Sequence, residues 1–155
     1  LDMISSYLSD GKSSKLYRKL VDEKKMSLEV AAFNISLEDY GVYVILSLPV
    51  GENSLLALRD EIDLEIDKIQ KELISEKDYE KLLNKFESQF VNSNSTVEGI
   101  ANSLAEYYTF YGDTNLINSE IDIYRSITRE EIRAAAQKYL NPNQRLTLNY
   151  LPESK

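Results

Sequence analysis

The chain reads as an α+β protein, and three features of its sequence say so. Two adjoining runs of β-branched and apolar residues, Ser27–Leu37 and Val42–Leu48, have the form of a β-hairpin. Successive stretches with apolar residues every three or four positions have the form of amphipathic helices. A last alternating run, Arg145–Leu151, has the form of a terminal strand, with Leu146, Leu148 and Tyr150 set against Thr147 and Asn149. These add up to about three strands and six helices, whereas a sheet carrying so much helix ordinarily has ~4–6 strands, so at least one strand is expected to be missing.

Taken in order, Leu1–Leu8 is helical with Met3, Ile4, Tyr7 and Leu8 on one side, and Ser9, Asp10 and Gly11 end it. A second helix is expected over Ser13–Lys24, with Leu16, Leu20 and Val21 inward and Lys12, Lys15, Arg18 and Lys19 toward solvent. The hairpin turns at Glu38, Asp39, Tyr40 and Gly41, and its second strand is apolar at consecutive positions, which predicts a central strand covered on both sides or by further strands. Pro49 and Gly51 end that strand, and Leu55, Leu58, Ile62, Ile66, Ile69 and Leu73 mark a long amphipathic helix. Its acids Asp60, Glu61, Asp63, Glu65 and Asp67 point in different directions around the helix, which favours a solvated face over a cation site.

Ser75–Asp78 has an N-cap pattern, and Tyr79, Leu82, Leu83, Phe86 and Phe90 form the apolar stripe that follows. The polar run Asn92–Thr96 interrupts before a helix through Val97, Ile100, Ala101, Leu104, Ala105 and Tyr108, ending at Gly112. The aromatic cluster Tyr107, Tyr108, Phe110 and Tyr111 sits at helical spacing, which favours core packing over a binding platform. A short helix over Asn115–Ile127 precedes a last one that opens on Thr128-Arg129-Glu130-Glu131, the form of a capping box, and stops at Asn141-Pro142-Asn143.

Composition bounds the chemistry. With 155 residues, 43% hydrophobic and 28% charged, residues 1–155 make one globular domain. A net charge of −8 offers no basic footprint, so neither nucleic acid nor an anionic membrane is an expected partner. No apolar run approaches the roughly 18 residues that span a bilayer. The chain opens on Leu1 already in helical rhythm, which reads as a piece of something longer, so the lack of a leader is silent on compartment.

The sequence has no His and no Cys, which removes the Ser-His-Asp triad, the thiolate nucleophile, the imidazole base and the ordinary zinc site. A hydrolase built on carboxylates needs two convergent acids, and no pair stands out. Asn34-Ile35-Ser36 and Asn94-Ser95-Thr96 match glycosylation acceptors, a pattern common by chance.

Three stretches carry a resemblance to a known family. Leu8–Arg18 (LSDGKSSKLYR) is similar to an L-x-x-G-x-S-S-R-L-Y/F run, Asp22-Glu23-Lys24-Lys25 to an R/D-E-K segment, and Ser126–Ile132 with Lys138-Tyr139-Leu140 to a V-T-x-E-D/E-I…A-x-K-Y-L ending followed by a strand and Leu151-Pro152. In this order and over nearly the whole length, the chain resembles the M16 peptidases, the family of insulysin, pitrilysin and the mitochondrial processing peptidase. The resemblance implies a half-unit of the LuxS/MPP-like metallohydrolase fold, a mostly antiparallel sheet with helices packed on one face, here without its N-terminal strands.

The family's zinc is held by an inverted H-x-x-E-H motif plus a distant Glu, which this chain cannot host. The resemblance therefore implies the C-terminal, non-catalytic unit, with no cofactor of its own and zinc in the N-terminal half of the same parent chain. Such a unit closes a chamber and helps hold an extended peptide substrate. Active C-terminal units carry an Arg and then a Tyr; with one residue deleted from the alignment, Asp22 falls at the Arg position and Leu28 at the Tyr position.

That departure implies an Arg-Tyr pair supplied by a paired M16 subunit, or one dispensed with. The resemblance sets this stretch beside the chamber, and the contact residues it implies there, for substrate or partner, are Lys12, Ser14, Lys15, Arg18, Asp22 and Leu28. An inactive scaffold that assembles a partner subunit is the alternative. Periplasmic relatives imply a bacterial envelope location, and an open sheet edge implies that the chain by itself pairs with a second copy.

Overall fold

The computed structural model describes residues 1–37, 39–51 and 53–151. Glu38 of the expected turn and Pro152 after the terminal run lie outside them. Helix α1 (Asp2–Ser9) buries Met3, Ile4 and Leu8 and is followed by a π-helix, Tyr17–Glu23. Strands β1 (Ser27–Ser36) and β2 (Gly41–Pro49) come next, then α2 (Leu55–Lys71), α3 (Glu76–Ser93), α4 (Val97–Tyr111), α5 (Glu120–Ser126) and α6 (Arg129–Tyr139). Short 3₁₀ turns at Thr114–Asn118 and Pro142–Gln144 complete the described elements.

The sheet is an antiparallel β1–β2 hairpin in which Ala31 faces Leu46, Ala32 faces Ile45 and Phe33 faces Val44. Alternation sorts its side chains cleanly, because successive residues of a strand point to opposite faces. Val30, Ala32, Tyr43 and Ile45 turn toward the helices, and α1 packs directly across β1. The other face carries Ala31, Phe33, Ile35, Val42, Val44, Leu46 and Leu48. Phe33, Ile35, Val42, Leu46 and Leu48 are exposed there. The architecture is therefore α+β, with helices on one side of an antiparallel sheet.

One core joins these elements. Leu16 and Leu20 meet Met3, Ile4 and Leu8 of α1, Val30 and Ala32 of β1, Leu58 and Ile69 of α2, Leu82 of α3 and Ile132 and Ala136 of α6. Polar side chains lock the helix layer together. Gln70 of α2 donates to the carbonyls of Ala136 and Leu140 at 3.2 and 3.1 Å, the first already bonded to the Leu140 N–H and the second lying past the end of α6, and Gln137 donates back to the Gln70 carbonyl at 2.6 Å. Phe86 and Tyr124 stack with ring centroids 4.7 Å apart.

The starts of α3 and α6 follow the caps read from the sequence at Ser75 and Thr128, and Ser54 and Thr96 add two more. Ser54, Ser75 and Thr96 accept the first free N–H groups of α2, α3 and α4, and Thr128 with Glu131 forms the full capping box of α6. Between α3 and α4 the chain turns so sharply that a Cβ on Gly99 would stand 1.8 Å from the Ser93 carbonyl oxygen.

Four expectations change. Arg145–Leu151 forms no strand among the described residues and runs with Leu146, Leu148 and Tyr150 at 81%, 66% and 87% exposure. No strand among the described residues lies beside it, and alternation alone cannot make a ladder. β2 is accordingly an edge here and not a central strand. Helix α4 buries none of its residues, and Tyr108, Phe110 and Tyr111 are exposed, because α4 packs mainly on the 3₁₀ turn that follows it. The acid row on α2 is not wholly solvated either: Glu65 is buried and bonded to Lys68 at 2.6 Å, and Glu61 turns inward toward Lys19 and Lys24.

Candidate functional site

The stretch Leu8–Val30 gathers the residues singled out in the sequence. Gly11 takes φ 79°, a conformation that costs a residue without Cβ little, and this lets the chain reverse after α1. Ser14 then closes the turn: its hydroxyl donates to the Gly11 carbonyl at 2.7 Å and the side chain is buried. The helix that begins at Lys15 widens into a π-helix, seen in Lys24 N–H donating five residues back to the Lys19 carbonyl at 3.0 Å. Leu16 and Leu20 anchor it with no exposed surface.

Its exit is equally constrained. Lys25 sits at φ 50°, rare for a residue with a side chain, and Met26 donates to the Leu20 carbonyl at 2.8 Å. The buried Ser27 hydroxyl lies 2.6 Å from the Glu29 carbonyl, 2.7 Å from the Leu48 carbonyl and 2.8 Å from the Ser47 hydroxyl, closing the base of the hairpin. A register shift between Ser27 and Glu29 leaves Leu28 bulged at 69% exposure.

The expected basic face divides into two parts. Lys15 donates to Asp78 at 2.9 Å and lies 5.1 Å from the centre of the Tyr7 ring, while Lys19 and Lys24 both meet Glu61 of α2. Lys12, Arg18 and Asp22 stay on the surface, where Arg18 pairs loosely with Glu23 at 3.6 Å. Ser14 and Lys15 share a cleft of about 20 Å³ with Tyr7, Asp10, Ser13, Asp78, Lys81 and Lys85. Lys12, Arg18, Asp22 and Leu28 do not line it. A volume of that size holds about one water, far from a peptide.

Asp78 and Glu61 were missed as partners, although the Ser75–Asp78 cap pattern already marked Asp78 as an ordered acid. Burial alone would raise the Asp78 pKa, yet bonds from Lys15 and Ser75, with the Lys15 and Lys81 charges, hold it below the usual 3.8. Beside the same cleft, burial and the acids Asp78, Glu65 and Glu72 push the Tyr7 phenol up to about 12.

Zinc does not fit these residues. The sequence has no imidazole or thiolate, and among the described residues no three acids converge. Glu61, Glu65 and Asp78 are each bonded to lysine ammonium groups instead.

The described residues form an α+β layer with no convergent acid cluster, in a chain without imidazole or thiolate, and comparison with known proteins supplies the family. Residues 1–86 match the family described as the Peptidase M16 inactive domain. The chain belongs to that family. It is 28% identical over 107 residues, 69% of its length, to the zinc protease PqqE of Helicobacter pylori, of which it spans 24%.

Among solved structures, a protease from Helicobacter pylori superposes with a TM-score of 0.84 at 22% identity, covering 92% of this chain and 34% of that one. An inactive peptidase domain from Bordetella parapertussis superposes at 0.83 and 23% identity, covering 99% and 81%. At these identities the superpositions establish the fold. The chain spans about a quarter of the curated relative and a third of the Helicobacter pylori structure.

Proposed function

We propose that this chain is the non-catalytic C-terminal part of a zinc-dependent endopeptidase, closing the substrate chamber and helping to hold an extended peptide. The observation that carries this reading is the family match over residues 1–86 in a chain that has no His and no Cys. The metal and its general base then belong to an N-terminal half of the same parent, where zinc would polarise the attacking water. Lys12, Arg18, Asp22 and Leu28, all exposed, are the contacts to peptide or partner, and Ser14 and Lys15 set the turn that presents them. The envelope location implied by the resemblance belongs to this reading, as does self-association of the chain on its own.

Zinc content and peptide hydrolysis of the parent and of this chain, measured side by side, test the proposal. The expected result is metal and activity in the parent only. Stoichiometric zinc and cleavage by the 155-residue chain alone would overturn it.

A second reading is favoured by Asp22 and Leu28, which by the resemblance, with one residue deleted, fall where active units carry Arg and Tyr. On that reading the parent is an inactive scaffold that assembles a partner subunit, and its N-terminal half also lacks zinc ligands. A zinc-loaded parent that cleaves peptides excludes it.

A further inference from the structure

A cavity of about 230 Å³ lies beside the small cleft at Ser14. It is lined by Tyr7 of α1, by Lys15 ahead of the π-helix, by Glu65, Lys68 and Ile69 of α2, and by Glu72, Leu73 and Ile74 just past the end of α2.

The charges of this lining are unevenly paired. Both lysines already hold an acid, Lys15 donating to Asp78 at 2.9 Å and Lys68 to Glu65 Oε1 at 2.6 Å. The acids keep acceptors to spare. Glu65 is only 7% exposed, yet its Oε2 accepts no hydrogen bond among the described residues. Glu72 offers its backbone N–H to the Lys68 carbonyl, and its carboxylate has no hydrogen bond or ion pair among them. The Tyr7 hydroxyl is free of such bonds as well. A buried carboxylate oxygen without a donor is costly, so the site asks for a donor from outside.

Two titrating groups of the lining report the sign of the field. Burial, with Asp78, Glu65 and Glu72, pushes the Tyr7 phenol up to about 12. The bond to Glu65, with the charges of Glu65, Glu72 and Glu61, holds the Lys68 ammonium above its ordinary 10.5. Both shifts belong to a negative potential, and the C-terminal end of α2, the negative end of its dipole, adds to it.

A bare divalent ion has no ligand set here, because no three acids converge among the described residues. An organic cation finds what it needs. Glu65 Oε2, Glu72 and the Tyr7 hydroxyl are acceptors for a head group rich in N–H, and Ile69, Leu73 and Ile74 give an apolar lining for an aliphatic stem.

We propose that this cavity binds a guanidinium or ammonium head carried on an aliphatic stem, the chemistry shared by an arginine or lysine side chain and by a free alkyl cation. The inference goes beyond the chamber reading and needs neither zinc nor hydrolysis, so either one stands if the other fails.

The test uses the full-length protein that contains this chain, with n-butylguanidinium as the probe and n-butylurea as its neutral counterpart. Saturation-transfer NMR should find saturable binding of butylguanidinium, with butylurea at least roughly ten-fold weaker. Glu72→Gln and Glu65→Gln should each weaken the probe roughly ten-fold, the loss of one charge-assisted hydrogen bond. Glu72 is exposed, so Glu72→Gln should leave the unfolding temperature unchanged and keeps the result readable should Glu65→Gln fail to fold. A glycine peptide with one central arginine separates the two sources: it displaces the probe if a polypeptide side chain reaches the cavity, and leaves it bound if free cations alone do.

No saturable binding of butylguanidinium, equal binding of butylurea, or a Glu72→Gln protein that binds the probe as tightly as the natural one would each overturn the proposal.

Discussion

Lys15 Nζ stands 2.9 Å from Asp78 Oδ2, and this contact ties the π-helical segment to the first turn of α3. Asp78 also receives a hydrogen bond from the Ser75 hydroxyl at 2.8 Å, so one carboxylate serves an ion pair and a helix cap together. The pair is half-buried, and its removal by Lys15→Ala should cost about 1 kcal/mol, the upper end of the range for pairs still in contact with water. Urea titration measures this directly.

The same acid sets a pH dependence. Its folded pKa lies below 3.8, so its contribution to stability is present above that value and is lost as pH falls through the folded pKa. Asp78→Asn should therefore lower stability at neutral pH and flatten the acid limb of the unfolding curve. A variant that keeps the natural acid limb would show that Asp78 is not coupled to folding.

At high pH the tyrosines dominate. Burial, assisted by nearby acids, pushes Tyr7 and Tyr124 up to about 12 from 10.0, and burial does the same for Tyr43. The folded state holds these protons more tightly, so the stabilisation is complete below pH 10.0 and is lost as pH rises toward 12. Tyr124→Phe should reduce the alkaline slope in denaturant titrations between those limits.

Tyr79 offers a cleaner deletion. Its hydroxyl donates to the Ile127 carbonyl at 2.7 Å, joining α3 to the entry of α6. Tyr79→Phe keeps the ring in the core and strands the carbonyl, at a cost of about 1–2 kcal/mol in thermal or chemical unfolding.

Core and surface should separate sharply under alanine substitution. Leu20→Ala removes a fully buried side chain and should cost about 2–5 kcal/mol. Tyr108→Ala on α4 and Leu148→Ala should stay within about 0.5 kcal/mol in the monomer. A large loss at Tyr108 would mean that α4 packs inward after all.

Local signals were legible in the sequence and long-range partners were not. The caps at Ser75 and Thr128, the break at Gly11 and the stripe from Leu55 to Ile69 are read within a few residues, and each stands in the structure as the sequence implies. The alternation at Leu146, Leu148 and Tyr150 is just as strong a local signal, yet a strand exists only where another chain segment offers its backbone. For the same reason the apolar face of α4 read as core: helical spacing shows that one side is apolar and is silent on what covers it.

Of the six residues proposed as contacts, four, Lys12, Arg18, Asp22 and Leu28, lie exposed within the one short stretch that the sequence singled out. The sequence did not show that Lys15 leaves the surface for Asp78, a partner 63 positions away.

The widened helix at Tyr17–Glu23 has a consequence for chain length. A π turn spans nearly the same rise as an α turn while carrying one more residue. A chain shorter by a single residue here would bridge Leu16 and Met26 as an ordinary α-helix, leaving Leu20's neighbours and the hairpin base where they are. This segment is thus a point of indel tolerance, and relatives with a gap between Tyr17 and Lys24 should superpose on both sides of it without displacement.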